Sequence, residues 1–382
     1  MSRFHPSWQA LAALALVVLA SLLGPMTRPE APADAVAAID YGCPAAHSLM
    51  IWLLGLAALV SMLSLPRLAE AALLFLAAHG VAALLVTGIA GFEGTAATPY
   101  YLILAAAWLL AWRCVTVLSE LKPAGRAESM VVRLLIPVVF GAWILIIWET
   151  VVRGAGIPFI LLPPPSAIGV KIASSIPTLA ADVNQTIFKA VIAGYVLGCG
   201  AGFLTAILAD RVSFLRRGLL PIGNMVSALP IIGVAPIMVM WFGFDWQSKA
   251  AVVTIMTFFP MLVNTVTGLA ESGHMERDLM RTYASNYWQT LFKLRLPAAA
   301  PFIFNALKIN STLALIGAIV AEFFGTPTVG MGFRISTAVG RMQIDMVWAE
   351  IAVAALAGSV FYGLIALAER AATFWHPSVR GG

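Results

Sequence analysis

Long apolar runs are the feature that most constrains how this chain of 382 residues can fold. Hydrophobic residues make up 61% of the chain and charged residues 11%, and the mean hydropathy is +0.92. This composition excludes an ordinary soluble domain, in which about a quarter of the residues are charged. Because a bilayer-spanning helix needs about 20 mostly apolar residues, the sequence predicts an all-α integral membrane protein with about ten transmembrane helices. The predicted spans are 7–24, 47–65, 69–90, 99–118, 132–152, 186–208, 219–243, 249–270, 299–324 and 347–369.

The distribution of basic residues predicts how these spans are oriented. With the N-terminus inside the cell, fifteen of the 23 Lys and Arg residues fall in cytoplasmic segments and six fall outside. Cytoplasmic loops carry an excess of Lys and Arg, so we predict that both termini are cytoplasmic. The first apolar run also has an alternative interpretation as a cleaved signal peptide, because Arg3 and His5 precede it and Ala31-Pro32-Ala33 follows.

One polar, basic segment, 278–301, stands between strongly apolar runs. Within it, Leu279, Tyr283, Tyr287 and Leu291 recur every four residues, which is typical of one face of a helix. The pattern predicts a short amphipathic helix on the cytoplasmic side of the membrane.

The residues of this segment resemble the coupling loop of bacterial ABC-importer permeases, here 271–297. An acidic start is followed by an Arg-Thr-aromatic run, a break of small residues and a Leu-Pro ending. The family usually has Gly where Ala284 stands, and we expect Asn286 to provide a left-handed conformation nearby. The resemblance implies that an ATPase-coupling role falls on Asp278, Arg281, Tyr283, Ala284, Ser285, Asn286, Leu296 and Pro297.

Further stretches carry the same resemblance: LLPPPS at 161–166, WFGF at 241–244, AEFFG at 321–325, VGMG at 329–332 and WHPS at 375–378. It covers residues 132–382, which we interpret as a permease domain whose six spans form the core. Residues 1–120 form an N-terminal extension of four spans with no recognisable role, and 121–131 form a cytoplasmic linker. The chain looks closest to permeases that import nitrate, sulfonates, taurine and thiamine-precursor pyrimidines.

The sequence contains no machinery of its own for ATP hydrolysis. It has no G-x-x-x-x-G-K-[ST] phosphate loop, no metal-ligand spacing among its three cysteines, and no constellation of catalytic residues. We therefore predict a non-enzymatic transport subunit that binds no cofactor. The resemblance places ATP and Mg²⁺ on a separate cytoplasmic ATP-binding subunit in the bacterial inner membrane assembly. It further implies a periplasmic or lipid-anchored solute-binding protein, a second permease copy (most simply a homodimer) and membrane lipid, whereas nothing points to nucleic acid.

Prolines and polar side chains inside the core spans are candidates for a translocation pathway. Proline bends a helix, and a broken helix is tolerated in a membrane where protein or water satisfies the freed backbone groups. The polar side chains have an alternative role in bonding across helices, and Glu322 in particular suits a gate or a helix end. The candidates are Asn224, Ser227, Pro230, Pro236, Asn264, Asn305, Lys308 and Glu322. Outside this group, we expect His79 to be packed and Glu149 to be solvated.

The predicted function is a permease subunit that forms the pathway for a small polar solute, with a thiamine-precursor pyrimidine or related heterocycle as the first candidate. Nitrate, taurine and alkylsulfonates remain alternatives for the same mechanism. An ion-coupled secondary transporter is a rival class, but the chain shows no convincing inverted repeat and few carboxylates within its spans. An intramembrane enzyme is a weaker rival because the five histidines lie far apart in the sequence.

Overall fold

The computed structural model describes residues 7–28, 30–31, 44–63, 65–121, 125–226, 230–325 and 328–375. These residues form helices, turns and loops, with one isolated β-bridge between Thr27 and Ala96. Their contacts divide the chain into two compact units, residues 1–168 and 169–382.

The first unit is a bundle of apolar helices with small side chains at their contacts. Its helices are α1 (Trp8–Leu23), α2 (Pro44–Ser61), α3 (Arg67–Ile89), α4 (Thr98–Ser119), α5 (Arg126–Ala155) and α6 (Pro165–Ser174), the last of which runs across the boundary between the units. Buried alanines fill much of the core. The Tyr100 hydroxyl donates to the Leu85 carbonyl at 3.1 Å.

His79 is packed, as the sequence predicts. Trp143 Nε1 donates to His79 Nε2 at 3.2 Å, which leaves the proton on Nδ1, 2.8 Å from the Phe75 carbonyl oxygen. The expectation for Glu149 is wrong. Its carboxylate is buried and accepts from Arg153 Nε at 2.5 Å and from the backbone N–H of Ser166 at 2.9 Å. It therefore fixes the end of the proline-rich connector instead of facing solvent.

The second unit is built around a long central helix, α10 (Trp246–Ala270), which packs between α7 (Ile176–Arg211) and α12 (Tyr287–Glu322). Both outer helices contain a π-helical turn, at Asn184–Val191 in α7 and at Leu291–Arg295 in α12. The helices of this unit are α7 (Ile176–Arg211), α8 (Ser213–Val226), α9 (Ile231–Phe242), α10 (Trp246–Ala270), α11 (His274–Thr282), α12 (Tyr287–Glu322), α13 (Met331–Gly340) and α14 (Ile344–Ala372).

The contact between α7 and α10 is a seam of three glycines, Gly194, Gly198 and Gly202, spaced four residues apart. A Cβ atom added at Gly194 or Gly198 would lie 2.6 Å from a backbone carbonyl oxygen of α10. Small residues at this spacing let two membrane helices approach closely. The seam is a sequence signal that the prediction of spans did not use.

The all-α membrane fold is confirmed, since seven helices among the described residues are long and apolar enough to cross a bilayer. Three further apolar stretches, Trp8–Leu23 (α1), Ser48–Ser61 within α2 and Ile232–Phe242 within α9, are shorter, so the count of ten stays a prediction. The span predicted at 219–243 is not one helix, because α8 ends at Val226 and α9 begins after Pro230. The domain boundaries at 120 and 132 also stay predictions. By its contacts, α5 belongs with α3 and α4 in the first unit.

Candidate functional site

The amphipathic segment forms a helix, α11, that the described residues of the chain leave accessible. None of its residues is buried. Met275 is 83% exposed, Leu279 56% and, just beyond the helix, Tyr283 76%. Asp278 and Arg281 form an exposed ion pair at 3.4 Å, which contributes little in water. An apolar patch with a charged rim is thus available to a partner.

The prediction of one continuous apolar face is wrong. The chain turns after Thr282, where Ala284 adopts a left-handed conformation with φ 51°, and Tyr287 and Leu291 belong to the next helix, α12. Leu291 is fully buried. Leu279 and Tyr283 therefore present a surface, whereas Tyr287 and Leu291 secure the following helix.

Asn286 has a different role from the one expected, because the left-handed residue is Ala284. Asn286 is extended (φ −75°, ψ 171°) and caps α12. Its side chain accepts from the Gln289 backbone N–H at 2.8 Å, and the Gln289 side chain accepts from the Asn286 N–H at 2.9 Å. This reciprocal capping box satisfies two donors at the start of the helix. Ser285 lies in the turn between α11 and α12, and its N–H donates to the Met280 carbonyl at 3.0 Å.

Three side chains, Asp210, Tyr287 and Arg295, secure the base of this segment, and we call them the anchor network. Arg295 donates to both oxygens of Asp210, at 2.6 and 2.7 Å, and to the Leu269 carbonyl. The Tyr287 hydroxyl is 3.1 Å from Asp210. The two charged side chains are only 5% and 13% exposed, so this bidentate pair is strong. The network joins the ends of α7 and α10 to the start of α12.

Leu296 and Pro297 lie inside α12, just after its π-helical turn. The ring of Pro297 would clash with the carbonyl of Lys293 in a regular helix, and Lys293 lies within that turn. Leu296 is partly buried against Leu269, Leu291 and Ala299. These two residues therefore shape the helix behind α11 and do not form its surface.

The predicted pathway residues are dispersed. Pro230 precedes α9, and Pro236 lies within it. The Asn264 amide donates to the Pro260 carbonyl at 2.8 Å, and Lys308 pairs with Glu369 at 2.7 Å. Ser227 and the side chain of Asn224 lie outside the described residues. The pathway role of all these residues stays a prediction.

Asn305 belongs to a narrow exposed stripe on α12. Between residues 299 and 322, the exposed positions are Asn305, Ile309, Thr312 and Ile316, which follow one helical face. The stripe carries two polar side chains and no charge. Lipid is a poor neighbour for the Asn305 amide, so protein or a solute suits this face better.

Glu322 is buried at the opposite end of α12 from the anchor network. Its oxygens accept from the Thr186 hydroxyl at 2.8 Å and from the Gly332 N–H at 2.7 Å. Nearby, Lys249 donates to the carbonyls of Phe244 and Gly325. This environment suits the helix-end role that the sequence suggested for Glu322.

Asp182 and Arg334 complete this region. Asp182 accepts from the Gly330 N–H at 2.6 Å and from Arg334 Nε at 2.8 Å, and the Met331 N–H donates to the Thr186 hydroxyl at 2.9 Å. Since the first N–H groups of a helix lack partners, these side chains cap α13. We call Asp182, Thr186, Glu322 and Arg334 the cap network.

Sequence reasoning missed Asp182 and Arg334 because 152 residues separate them, so no local pattern links the two.

Hydrogen bonds shift the pKa values of two side chains in this region. The bonds that Arg334 donates to the Asp182 carboxylate raise the pKa of Arg334 further above its usual value. At the start of α10, the Gln185 amide and the Trp246 N–H both donate to Asp245 and lower the pKa of that carboxyl. Among the described residues, no group of three His, Cys, Asp or Glu side chains could hold a metal ion.

Comparison with known proteins identifies the family to which these features belong. The family described as "Binding-protein-dependent transport system inner membrane component" matches residues 194–380. A probable ABC transporter permease protein of Haemophilus influenzae is 30% identical over 222 residues, 58% of this chain and 90% of the relative. A putative aliphatic sulfonates transport permease of Bacillus subtilis is 30% identical over 263 residues, covering 68% of this chain and 93% of the relative. A formylaminopyrimidine transport permease of Halalkalibacterium halodurans is 29% identical over 247 residues, 63% and 95% of the two chains.

The chain belongs to the ABC transporter permeases, the inner-membrane components of binding-protein-dependent transport systems. It is therefore a multi-pass membrane protein and a transport component. Permeases of this kind work with an ATP-binding subunit and a solute-binding protein. This membership favours an importer over the ion-coupled secondary transporter.

Proposed function

We propose that this chain is the permease subunit of an ATP-driven importer and that α11 couples it to a separate cytoplasmic ATP-binding subunit. The proposal includes the orientation that the basic residues predict, with both termini and α11 in the cytoplasm. ATP and Mg²⁺ then reside on the partner, and a solute-binding protein delivers the cargo to the other side of the membrane.

The exposed α11 helix on a rigid base is the observation that carries this proposal. Its apolar patch (Met275, Leu279 and Tyr283) suits insertion into a groove, which is a common mode of helix recognition. The anchor network fastens the following helix to α7 and α10. A displacement of α11 by the partner is therefore transmitted to three long helices, α7, α10 and α12. Each nucleotide state of the partner then favours one of two packings of the spans.

The exposed stripe of α12 supports a pathway lined by two copies of the chain. One permease core supplies a single coupling helix, so two copies, most simply a homodimer, engage two ATP-binding subunits. Asn305 and Thr312 give the stripe hydrogen-bonding capacity without charge. A neutral polar solute fits such a surface.

For the cargo, a thiamine-precursor pyrimidine or related heterocycle is our first candidate. The formylaminopyrimidine permease supports it by its similarity, and the uncharged stripe is compatible with it. The sulfonate permease of comparable similarity supports a small anion as the second candidate. Uptake of a labelled aminopyrimidine by the complete importer, in competition with an alkylsulfonate, nitrate and taurine, separates the two. Inhibition by the anions alone would contradict the first candidate.

Co-purification with the ATP-binding subunit tests the coupling role. Met275→Asp places a charge in the α11 patch, and we expect it to reduce capture of the partner at least tenfold. Met342→Asp is the matched control. Met342 is also an exposed methionine (66%), but it lies between α13 and α14, at the end of the core away from α11. Equal capture by Met275→Asp, Met342→Asp and the unaltered chain would contradict docking through α11.

A further inference from the structure

Three arginines stand where α7 ends and α8 begins, and the transport proposal does not use them. Arg211, Arg216 and Arg217, which we call the arginine cluster, are all exposed. Asp210, the acid beside them in the sequence, is already paired with Arg295. In the described part of the chain, none of the three arginines takes part in an ion pair. The cluster therefore presents positive charge that these residues leave unbalanced.

Two sets of contacts hold the cluster at the end of α7. The Arg211 guanidinium lies over the rings of Tyr287 and Trp288, 5.5 and 5.9 Å from their centroids. The Arg216 N–H donates to the Val212 carbonyl at 3.2 Å, which keeps the first turn of α8 against the end of α7. Ring contacts leave the N–H donors of a guanidinium available, and arginine binds phosphate through two of them at once. The cluster is thus positioned to bind a phosphate group.

An apolar face of α7 leads to this cluster. Every exposed position of α7 between 192 and 208 is apolar, and Leu197, Leu204 and Leu208 are each more than half exposed. These three leucines follow one side of the helix, and Arg211 lies one turn beyond Leu208 on the same side. Leu197 to Leu208 covers about 16 Å along the helix axis, or about half of the roughly 30 Å hydrocarbon core of a bilayer. The face therefore has the length of one leaflet, with a cation at its end.

Exposed aromatic rings surround the cluster. Trp288, which contacts Arg211, is half-exposed, and its ring stacks on that of Phe292 at 6.1 Å between centroids. Phe214 in the first turn of α8 is exposed, whereas the neighbouring Leu215 packs against α7 and α10. Aromatic side chains concentrate where the hydrocarbon meets the headgroups, so these rings place the cluster at that level.

We propose that the arginine cluster and the apolar face of α7 together bind one anionic phospholipid. Arg211 donates to the phosphate, Arg216 and Arg217 add positive charge around the headgroup, and an acyl chain lies along the leucines of α7. In the orientation of the proposed function, the lipid belongs to the cytoplasmic leaflet. Because Arg211 contacts Tyr287, the headgroup lies beside the anchor network.

The ATP-binding subunit is a less suitable partner for this surface. The apolar face continues from the cluster over the length of a leaflet, which a protein in the cytoplasm does not reach. A phospholipid matches both parts, since its charge and its acyl chain are joined in one molecule.

Native mass spectrometry of the full-length chain in detergent, with phosphatidylglycerol or the zwitterionic phosphatidylcholine added, tests the proposal. We expect Arg211→Gln to bind phosphatidylglycerol about tenfold more weakly than the unaltered chain, because it loses charge-assisted hydrogen bonds to the phosphate. Arg341→Gln is the matched control. Arg341 is also an exposed arginine without an ion pair in the described residues, but it follows α13, away from α8. Equal affinities of Arg211→Gln and Arg341→Gln, or of the unaltered chain for the two lipids, would overturn the proposal.

A second competitor tests the role of the acyl chain. Glycerol 3-phosphate carries the phosphate without acyl chains, so we expect it not to displace phosphatidylglycerol at equal concentration. Displacement would show that the cluster recognises phosphate alone and would overturn the lipid site. If Arg211→Gln does not fold, the double variant Arg216→Gln, Arg217→Gln, which changes two exposed side chains, should show the same preferential loss of the anionic lipid.

Capture of the ATP-binding subunit separates this inference from the transport proposal. Arg211→Gln should capture the partner as well as the unaltered chain does. A loss of capture with unchanged lipid binding would assign the cluster to the ATP-binding subunit and overturn the lipid site. The lipid measurement itself involves neither ATP nor a partner, and detergent-solubilised lipid reaches both ends of the core. Its result therefore stands whichever way the chain is oriented and whether or not α11 couples to an ATPase.

Discussion

The anchor network and the cap network hold the two ends of the same helix, α12, in different ways. In the anchor network one acid meets one base in a bidentate pair, and each of Asp210 and Arg295 satisfies the other. In the cap network each acid bonds to one backbone N–H group at the start of α13 and to a side chain: Asp182 accepts from Gly330 and Arg334, and Glu322 accepts from Gly332 and Thr186. The anchor therefore fixes a surface in one position. The cap network instead joins three helices, α7, α12 and α13, through the start of α13.

Removing the acid of the anchor gives the largest expected effect. Asp210→Asn leaves the Arg295 charge buried without its counter-charge, which costs about 3–5 kcal/mol of unfolding free energy. Denaturant unfolding in detergent measures the loss. The double variant Asp210→Leu, Arg295→Met removes both charges, so we expect it to recover most of the stability. If single and double variants were equally unstable, the ion pair would stabilise the fold through the packing and hydrogen-bond geometry of its side chains and not through their charges.

The corresponding change in the cap network should cost less. Asp182→Asn keeps an oxygen for the Gly330 N–H, and Arg334 is 26% exposed, so water can reach its charge. We expect a loss of about 1–3 kcal/mol by the same measurement. Asp345→Asn is a control at the nearby ion pair with Lys171 (3.2 Å), where the loss should be under about 1 kcal/mol. A loss for Asp182→Asn that exceeds the loss for Asp210→Asn would reverse the comparison.

The smallest expected effect is a gain at the turn between α11 and α12. Ala284 holds a left-handed conformation that costs a residue with a side chain about 1–2 kcal/mol. Glycine relieves this strain but enlarges the entropy of the unfolded chain, so Ala284→Gly should gain about 0.5 kcal/mol. Asn286→Ala removes the helix cap and should lose about 1 kcal/mol. Slower hydrogen exchange across 271–297 in Ala284→Gly and faster exchange in Asn286→Ala would verify both signs.

Local patterns predicted the elements of this protein well and their contacts poorly. Hydropathy placed the long helices, and the residues around 278–297 indicated an exposed amphipathic helix, because both signals depend on neighbours in the sequence. Hydropathy predicts one span over 219–243 because the apolar run continues across Pro230, whereas the structure has two helices there. The pairing of Asp210 with Arg295 joins residues 85 apart, and that of Asp182 with Arg334 joins residues 152 apart. Only the folded chain brings such groups together.

The site residues show the same difference between what local patterns predict and what long-range contacts decide. The sequence predicts a left-handed conformation at Asn286, but Ala284 adopts it because Asn286 caps α12. Glu149 lies near a helix end and reads as solvated, yet Ser166 of the following connector folds back to bury it. For Glu149 the deciding contact comes from a segment whose path the sequence does not specify, whereas the capping box of Asn286 with Gln289 is a local pattern that the sequence contains.

The glycine seam between α7 and α10 has a consequence for how a solute can pass. A single methyl group at Gly194 or Gly198 would collide with the opposing backbone, so nothing the size of a metabolite fits between these two helices. One copy of the chain is therefore sealed along this seam. The glycines that let α7 and α10 approach so closely thus exclude the space between these two helices as a route for cargo.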